Sequence, residues 1–198
     1  MKHTLPTAVM KQLKPAISIL WVMALITGGI YPLLITGLAQ LFFPHQSNGS
    51  LLVQNDRIIG SELIGQQFDQ PQYFWGRLSA TAGTPYNASA SGGSNFSVLN
   101  PALEEQVTAR ISALKAVDPE NSQSIPVDLV TASASGLDPH ISVASAYYQA
   151  ARIANAHQLS LDQVTTLIEQ YTHPRIFGVL GEKTINVLEI NLALDAIQ

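Results

Sequence analysis

The residues best able to do chemistry cluster in the second half of the chain. Asp128, Ser133, Ser135, Asp138 and His140 are the ingredients of a Ser-His-Asp hydrolase. The local sequence Ala132-Ser133-Ala134-Ser135-Gly136 lacks the Gly-x-Ser-x-Gly elbow that exposes such a nucleophile. Asp138-Pro139-His140 after a glycine also suits a turn leading into a helix. Ser112-Ala113-Leu114-Lys115 matches the Ser-x-x-Lys of penicillin-binding enzymes, but Ser-Asp-Asn and Lys-Thr-Gly are missing and Lys183-Thr184-Ile185 is the nearest approach. Ser91-Gly92-Gly93-Ser94-Asn95 is rich enough in glycine for a phosphate cradle. A Walker loop would need Lys-Ser/Thr directly after it, and the next lysine is Lys115. The five histidines are scattered, and no cysteine is present. Thiolate metal sites, disulfides and cysteine nucleophiles are therefore excluded, and a zinc site has no ligand spacing to build on. The expectation is no catalytic, cofactor-binding or metal-binding set in this chain.

Charge points away from nucleic acid. Lys2, Lys11 and Lys14 precede an apolar block, and all 14 acidic residues follow it. The remainder carries 10 − 3 = 7 basic residues against 14 acidic ones, a net of −7. Nucleic-acid binding needs a basic footprint, which is lacking.

The apolar block is the strongest organising signal. Ala16 to Phe43 contains no charged residue. About 20 apolar residues cross a bilayer as a helix. The stretch is too long for the apolar region of a typical cleaved signal peptide, despite a small-x-small site at Gly37-Leu38-Ala39. Positive flanks stay in the cytoplasm. We therefore expect residues 1–15 inside, a transmembrane helix over 16–43 and an extracytoplasmic domain over 45–198. Pro32 removes a backbone donor and crowds the carbonyl of Gly28, which predicts a break in the helix. Gly28 and Gly29 leave room for close approach by a neighbouring helix, although Gly and Pro are also common in membrane spans.

Beyond the span, Leu51–Val53 and Arg57–Ile59 predict a short hairpin around Gln54-Asn55-Asp56. Tyr73 to Asn100 has no apolar period and predicts a long ordered loop. Asn100-Pro101 starts a helix that ends at Asp118-Pro119. Pro126 to Thr131 alternates like a strand. Helices are expected from Ser142 to about His157 and after the capping box at Ser160. Ile185 to Leu194 is apolar and dense; the pattern allows a strand that finishes as a short helix without settling which. The outer domain is thus predicted to be α+β, anchored by one N-terminal transmembrane helix.

Several strings are more informative than their chemistry. They include Ile26-Thr27-Gly28-Gly29-Ile30-Tyr31-Pro32-Leu33, Gly60-Ser61-x-Leu63-Ile64-Gly65-Gln66 and Tyr73-Phe74-x-Gly76-Arg77. Ser91–Asn95 is another, followed by Pro126-Val127-x-Leu129-Val130-Thr131-Ala132-Ser133-Ala134-Ser135-Gly136-Leu137-Asp138 and Leu188-Glu189-x-Asn191-Leu192-Ala193-Leu194-Asp195. With these the chain resembles the C subunit of Kdp, a bacterial potassium-transporting P-type ATPase. Leu78 departs from the family's usual Arg-Pro-Ser-Ala. The resemblance implies three partners: a channel-like potassium-translocating subunit, a P-type ATPase subunit and a small membrane subunit. It also implies that ATP and Mg are used by the ATPase partner and that this chain supports assembly and tunes the pump. Candidate partner contacts are Gly28, Gly29 and Pro32 in the span. In the outer domain they are Ser91, Gly92, Gly93, Ser94 and Asn95, with Ser133, Ser135 and Asp138. The small residues of the last two groups predict rigid, closely packed loops, which either carry a docking surface or only fix the domain's own turns.

Overall fold

The computed structural model describes residues 7–197; Lys2 and the other residues of 1–6 lie outside the described residues. The chain divides into two compact units at Ser50/Leu51. In the first, α1 (Thr7–Leu25), a π-helical turn (Ile26–Ile30) and α2 (Tyr31–Phe42) follow one another without a break, and α3 (Pro44–Ser47) adds a last turn. Lys11–Phe42 is long and apolar enough to span a membrane, and none of it is buried within the chain. The break expected at Pro32 takes the form of the π turn. Tyr31 N–H reaches back to the Ile26 carbonyl, one residue further than in an α-helix, just ahead of the proline that has no N–H to give. Thr27 Oγ1 donates to the Met23 carbonyl at 2.7 Å, a back-bond of the kind that favours bending of a helix.

The second unit is α+β, as the sequence predicts. β1 (Leu51–Gln54) and β2 (Arg57–Ser61) form the expected hairpin. Its turn residues Asn55 and Asp56 both have positive φ, the twist that two-residue hairpins favour. A second sheet of order β3-β5-β4 is antiparallel throughout, with β3 (His140–Ser142) and β4 (Thr172–His173) flanking β5 (Thr184–Asn186). Helices α4 (Pro101–Val117), α6 (Val143–His157), α7 (Leu161–Gln170) and α8 (Val187–Asp195) begin at Asn100, Ser142, Ser160 and Asn186, whose side chains accept the first orphan amides. Ser160 and Gln163 close a full capping box. The strand-then-helix reading of Ile185 to Leu194 is realised as β5 and α8. The core gathers Phe74, Leu114, Leu129, Ile141, Ile153 and Ile190 from these elements.

One expectation is overturned. Pro126 to Thr131 is no strand: Val127–Val130 is a single helical turn, α5. The apparent alternation fails because adjacent Leu129 and Val130 are both buried while Val127 is 71% exposed. A strand would send neighbours to opposite faces. The turn lets Asp128 reach across to α6, accepting from Ser142 N at 2.7 Å and Ser145 Oγ at 2.6 Å.

The long segment before α4 has almost no ladder of its own. It contains only a 3-10 turn (Ala88–Ala90) and a parallel bridge between Leu78 and Ala132. Phe74, Trp75 and Gly76 are nevertheless buried, and a buried peptide group must be paired. Every carbonyl from Pro71 to Arg77 accepts a hydrogen from a side chain. Arg152 serves Pro71 and Tyr73, and His157 Nε2 serves Gln72 at 2.9 Å. Asn191 serves Phe74 at 3.0 Å, and Gln149 serves Trp75 at 3.2 Å. Arg110 serves Gly76 at 2.9 Å and Tyr86 Oη serves Arg77 at 2.7 Å. Asn191 and Gln149 also accept the N–H groups of Phe74 and Trp75, at 2.9 and 2.8 Å. Two helix-borne amides thus take the place of a neighbouring strand.

Replacing Asn191 by leucine keeps the branched shape and orphans both peptide groups of Phe74. We expect a loss of about 2–6 kcal/mol, at about 1–3 kcal/mol per buried unpaired group. Denaturant unfolding of the chain in detergent measures it, with exposed Glu105→Ala as the control. A loss below about 1 kcal/mol would show that the segment rests on packing alone.

Candidate functional site

The two Ser/Gly/Ala-rich strings meet in space. Gly92 N–H donates to the Ser135 carbonyl at 2.8 Å, and Ser91 Oγ donates to the same oxygen at 3.0 Å. Ser133 N–H donates to the Leu78 carbonyl at 3.2 Å. Ser79 Oγ donates to the Gly136 carbonyl at 2.7 Å and accepts from Tyr86 N–H at 2.8 Å. Gly65 N–H closes the other flank on the Leu137 carbonyl at 2.9 Å.

Glycine is needed at two of these contacts. A Cβ on Gly93 would stand 2.8 Å from the Ala134 carbonyl oxygen. Gly136 has φ +68°, and a Cβ there would stand 2.6 Å from Thr81 Cγ2 and 2.7 Å from the Gly92 carbonyl. Leu78 carries the bridge to Ala132 and accepts from Ser133.

The candidate contacts therefore divide. Ser91, Asn95 and Ser135 are exposed, Gly92, Gly93, Ser94 and Asp138 are half-buried, and Ser133 is buried at 4% exposure. The outer rim can meet a partner, while Gly93 and Ser133 hold the loops together. In the first unit, a Cβ on Gly28 would meet nothing within 4 Å and one on Gly29 only Leu25 Cδ1 at 3.7 Å. Pro32 lies in the first turn of α2.

Arg77 ties the loop pair to the sheet. Its Nη1 meets Asp138 Oδ2 at 3.1 Å and its Nη2 the Ala132 carbonyl at 3.3 Å. Asp138 Oδ1 accepts His140 N–H at 3.0 Å. Burial pushes the Asp138 carboxyl up, but the His140 hydrogen bonds and the Arg77 charge outweigh it and hold it below the ordinary carboxylate range. Beneath the loops, Arg110 and Arg152 lie 4.8 and 5.3 Å from the Trp75 ring centroid. Burial pulls both guanidiniums down, Arg152 to about 10, so Arg152 stays charged at neutral pH. Burial also pushes the Tyr86 phenol up to about 12, which keeps it protonated and able to donate to the Arg77 carbonyl.

The serine, histidine and aspartate residues do not assemble as a triad. Asp128 is spent on the start of α6. Ser135 Oγ accepts from Leu137 N–H, and Ser112 Oγ donates to the Thr108 carbonyl on an exposed side of α4. His140 packs edge-on to His173, with ring centroids 5.9 Å apart. Among the described residues no group of three or more metal-ligating side chains gathers. Sequence reasoning missed Arg110, Gln149, Arg152 and Asn191. Their signal was a polar residue set among apolar helix positions, as Arg110 lies between Val107, Ile111 and Leu114.

Comparison with known proteins gives a consistent result. The family described as "KdpC: K+-transporting ATPase, c chain" matches residues 13–196. The "Potassium-transporting ATPase KdpC subunit" of Herpetosiphon aurantiacus is 60% identical over 93% of this chain and 96% of its own length. Proteins of the same name from Methylococcus capsulatus and Polaromonas naphthalenivorans are 57% and 56% identical over 93% and 94% of this chain. They are covered over 97% and 95% of their own lengths.

Two outcomes follow from the geometry. Gly136→Ala should cost about 2–3 kcal/mol through a disfavoured backbone and overpacking, whereas Ser91→Ala should cost under about 1 kcal/mol; thermal unfolding separates them, and equal losses would contradict the loop packing. The lowered Asp138 carboxyl contributes stability that is present above the unfolded-state value and is lost as pH falls through the folded-state one. Asp138→Asn should therefore be less stable than the parent at neutral pH, with the two curves converging in acid. Parallel curves would show that the Arg77–Asp138 pair is not the cause.

Proposed function

The chain belongs to the KdpC family and is an accessory subunit of the potassium-transporting ATPase, and from that premise we propose how it is placed and what it contributes. The Lys11–Phe42 helix anchors it in the bacterial plasma membrane, with the N-terminus in the cytoplasm and the α+β unit on the outer face. Lys11 and Lys14 stand at one end of the helix, and the next charge past its other end is Asp56, the asymmetry that keeps basic flanks inside.

The partners on this reading are the channel-like potassium-translocating subunit, the P-type ATPase subunit and the small membrane subunit. ATP and Mg are used by the ATPase partner. The chain itself makes and breaks no bond. The observation that carries this is positive: Ser135, Asp128 and Asp138 are committed to a turn, a helix start and the Arg77 pair, and the His140 ring packs on His173 beside Asp138. Its contribution is contact, through the small-residue stretch around Gly28 and Gly29 and through the rim of the paired loops.

The orientation predicts that Asp56→Cys, at the exposed hairpin turn, reacts with an impermeant thiol reagent in intact cells while Thr7→Cys does not; the reverse pattern would overturn it. Gly28→Leu should leave the chain inserted but weaken co-purification with the pump, because the space there is open within this chain. An undiminished complex would remove the span from the interface. Ser135→Ala and His140→Ala should leave ATP-driven potassium transport within a few-fold of the parent in an assembled complex, whereas losing a catalytic group costs on the order of a hundredfold or more.

A further inference from the structure

The end of the β4–β5 hairpin is an apolar tip that none of the described residues of the second unit covers. All residues from His173 to Lys183 are exposed. Four of them are large and apolar: Ile176 at 65% exposure, Phe177 at 90%, Val179 at 73% and Leu180 at 58%. Such clustering on a small domain marks a contact site.

The tip is also built to a fixed shape. Ile176 and Leu180 exchange both backbone hydrogen bonds, at 2.9 and 3.0 Å, and Gly178 N–H and Val179 N–H close the turn on the Arg175 and Ile176 carbonyls. Phe177 is held at φ +54°, a left-handed conformation that a bulky residue adopts only when its surroundings impose it. The closed turn thus presents an aromatic ring outward at a cost in backbone energy. At the neck, Arg175 Nη2 and Glu182 Oε2 pair at 2.6 Å, so the guanidinium is already neutralised.

We propose that the tip, led by Phe177, seats in an apolar pocket on another subunit of the pump. This rests on the reading of the chain as a pump subunit. Two observations choose a protein pocket over the lipid surface. The neck offers one unpaired cation, Lys183, against a net charge of −7 on the residues after the span, so an anionic headgroup layer repels the unit. A preformed aromatic anchor of fixed backbone also matches what protein interfaces use at their energetic centres.

The test uses the full chain expressed with the other pump subunits. A benzophenone side chain at Val179 should cross-link, on illumination, to another subunit. Cross-linking to lipid or to a second copy of this chain would overturn the proposal. Phe177→Asn keeps the left-handed backbone, because asparagine tolerates it, and removes the ring. Combined with Val179→Asp it should lower co-purified partner at least about tenfold with no fall in the melting temperature of the chain alone. Undiminished co-purification overturns the docking tip. If the parent chain brings down no pump subunit, the pump reading fails and the proposal with it.

Discussion

The second unit depends on one constraint: a buried stretch of irregular backbone has no strand beside it to pair with. Leaving the buried groups of Phe74, Trp75 and Gly76 unpaired would cost about 1–3 kcal/mol each, and they sit within seven successive carbonyls, Pro71 to Arg77, that each accept from a side chain. The solution is to send side chains from α4, α6 and α8 into the loop. Those side chains are long, donor-rich and aimed inward, so the three helices are locked in position by what they must satisfy. The core can then close over Phe74 and Trp75 although the segment that supplies them has no regular structure.

The same solution sets the electrostatics. Arg110 and Arg152 are buried with carbonyls and the Trp75 ring as partners, and no carboxylate is within ion-pair distance of either among the described residues. Guanidinium suits this role because it is weakly hydrated, presents a planar fork of donors and lies well on an aromatic face. Asp69 and Asp118 act on them only from a distance. The acidic groups are left on the surface, where they keep the unit soluble, and the one well-ordered acid–base contact near the loops, Arg77–Asp138, sits at the rim.

Much of this was legible in the sequence for local reasons. The span, the caps at Asn100, Ser142 and Ser160 and the hairpin at Asn55-Asp56 depend on neighbours within a few residues, whereas the loop from Tyr73 to Asn100 was legible only as a missing apolar period, because the side chains that order it come from distant helices. The α+β class follows from their sum. The pairing of Ser91–Asn95 with Thr131–Asp138 was legible only as a shortage of bulk, because their separation in the chain hides which carbonyl each amide meets. Pro126 to Thr131 misled because its alternation lasts too few residues to tell a strand from one helical turn. The tip at Ile176 to Leu180 was invisible for a different reason. Apolar residues between two strands read as core, and only the geometry shows that they face away from it.

A subunit that breaks no bonds, as we propose for this chain, can alter a pump in one thermodynamic way. It must bind some states of the pump more tightly than others, and the shift it causes cannot exceed that difference. A pliant surface would accommodate every state about equally and shift nothing. The rigidity of the second unit is therefore a requirement of the proposed role. Loops cross-bonded to each other, a backbone clamped by helix-borne side chains and a tip closed on itself all keep their shape when a partner moves. The span contributes the complementary term: by confining the unit to the membrane it raises the local concentration at which these small surfaces meet their partners. Modest contact areas then suffice for stable assembly, and the difference between states is left to the shape of the contacts.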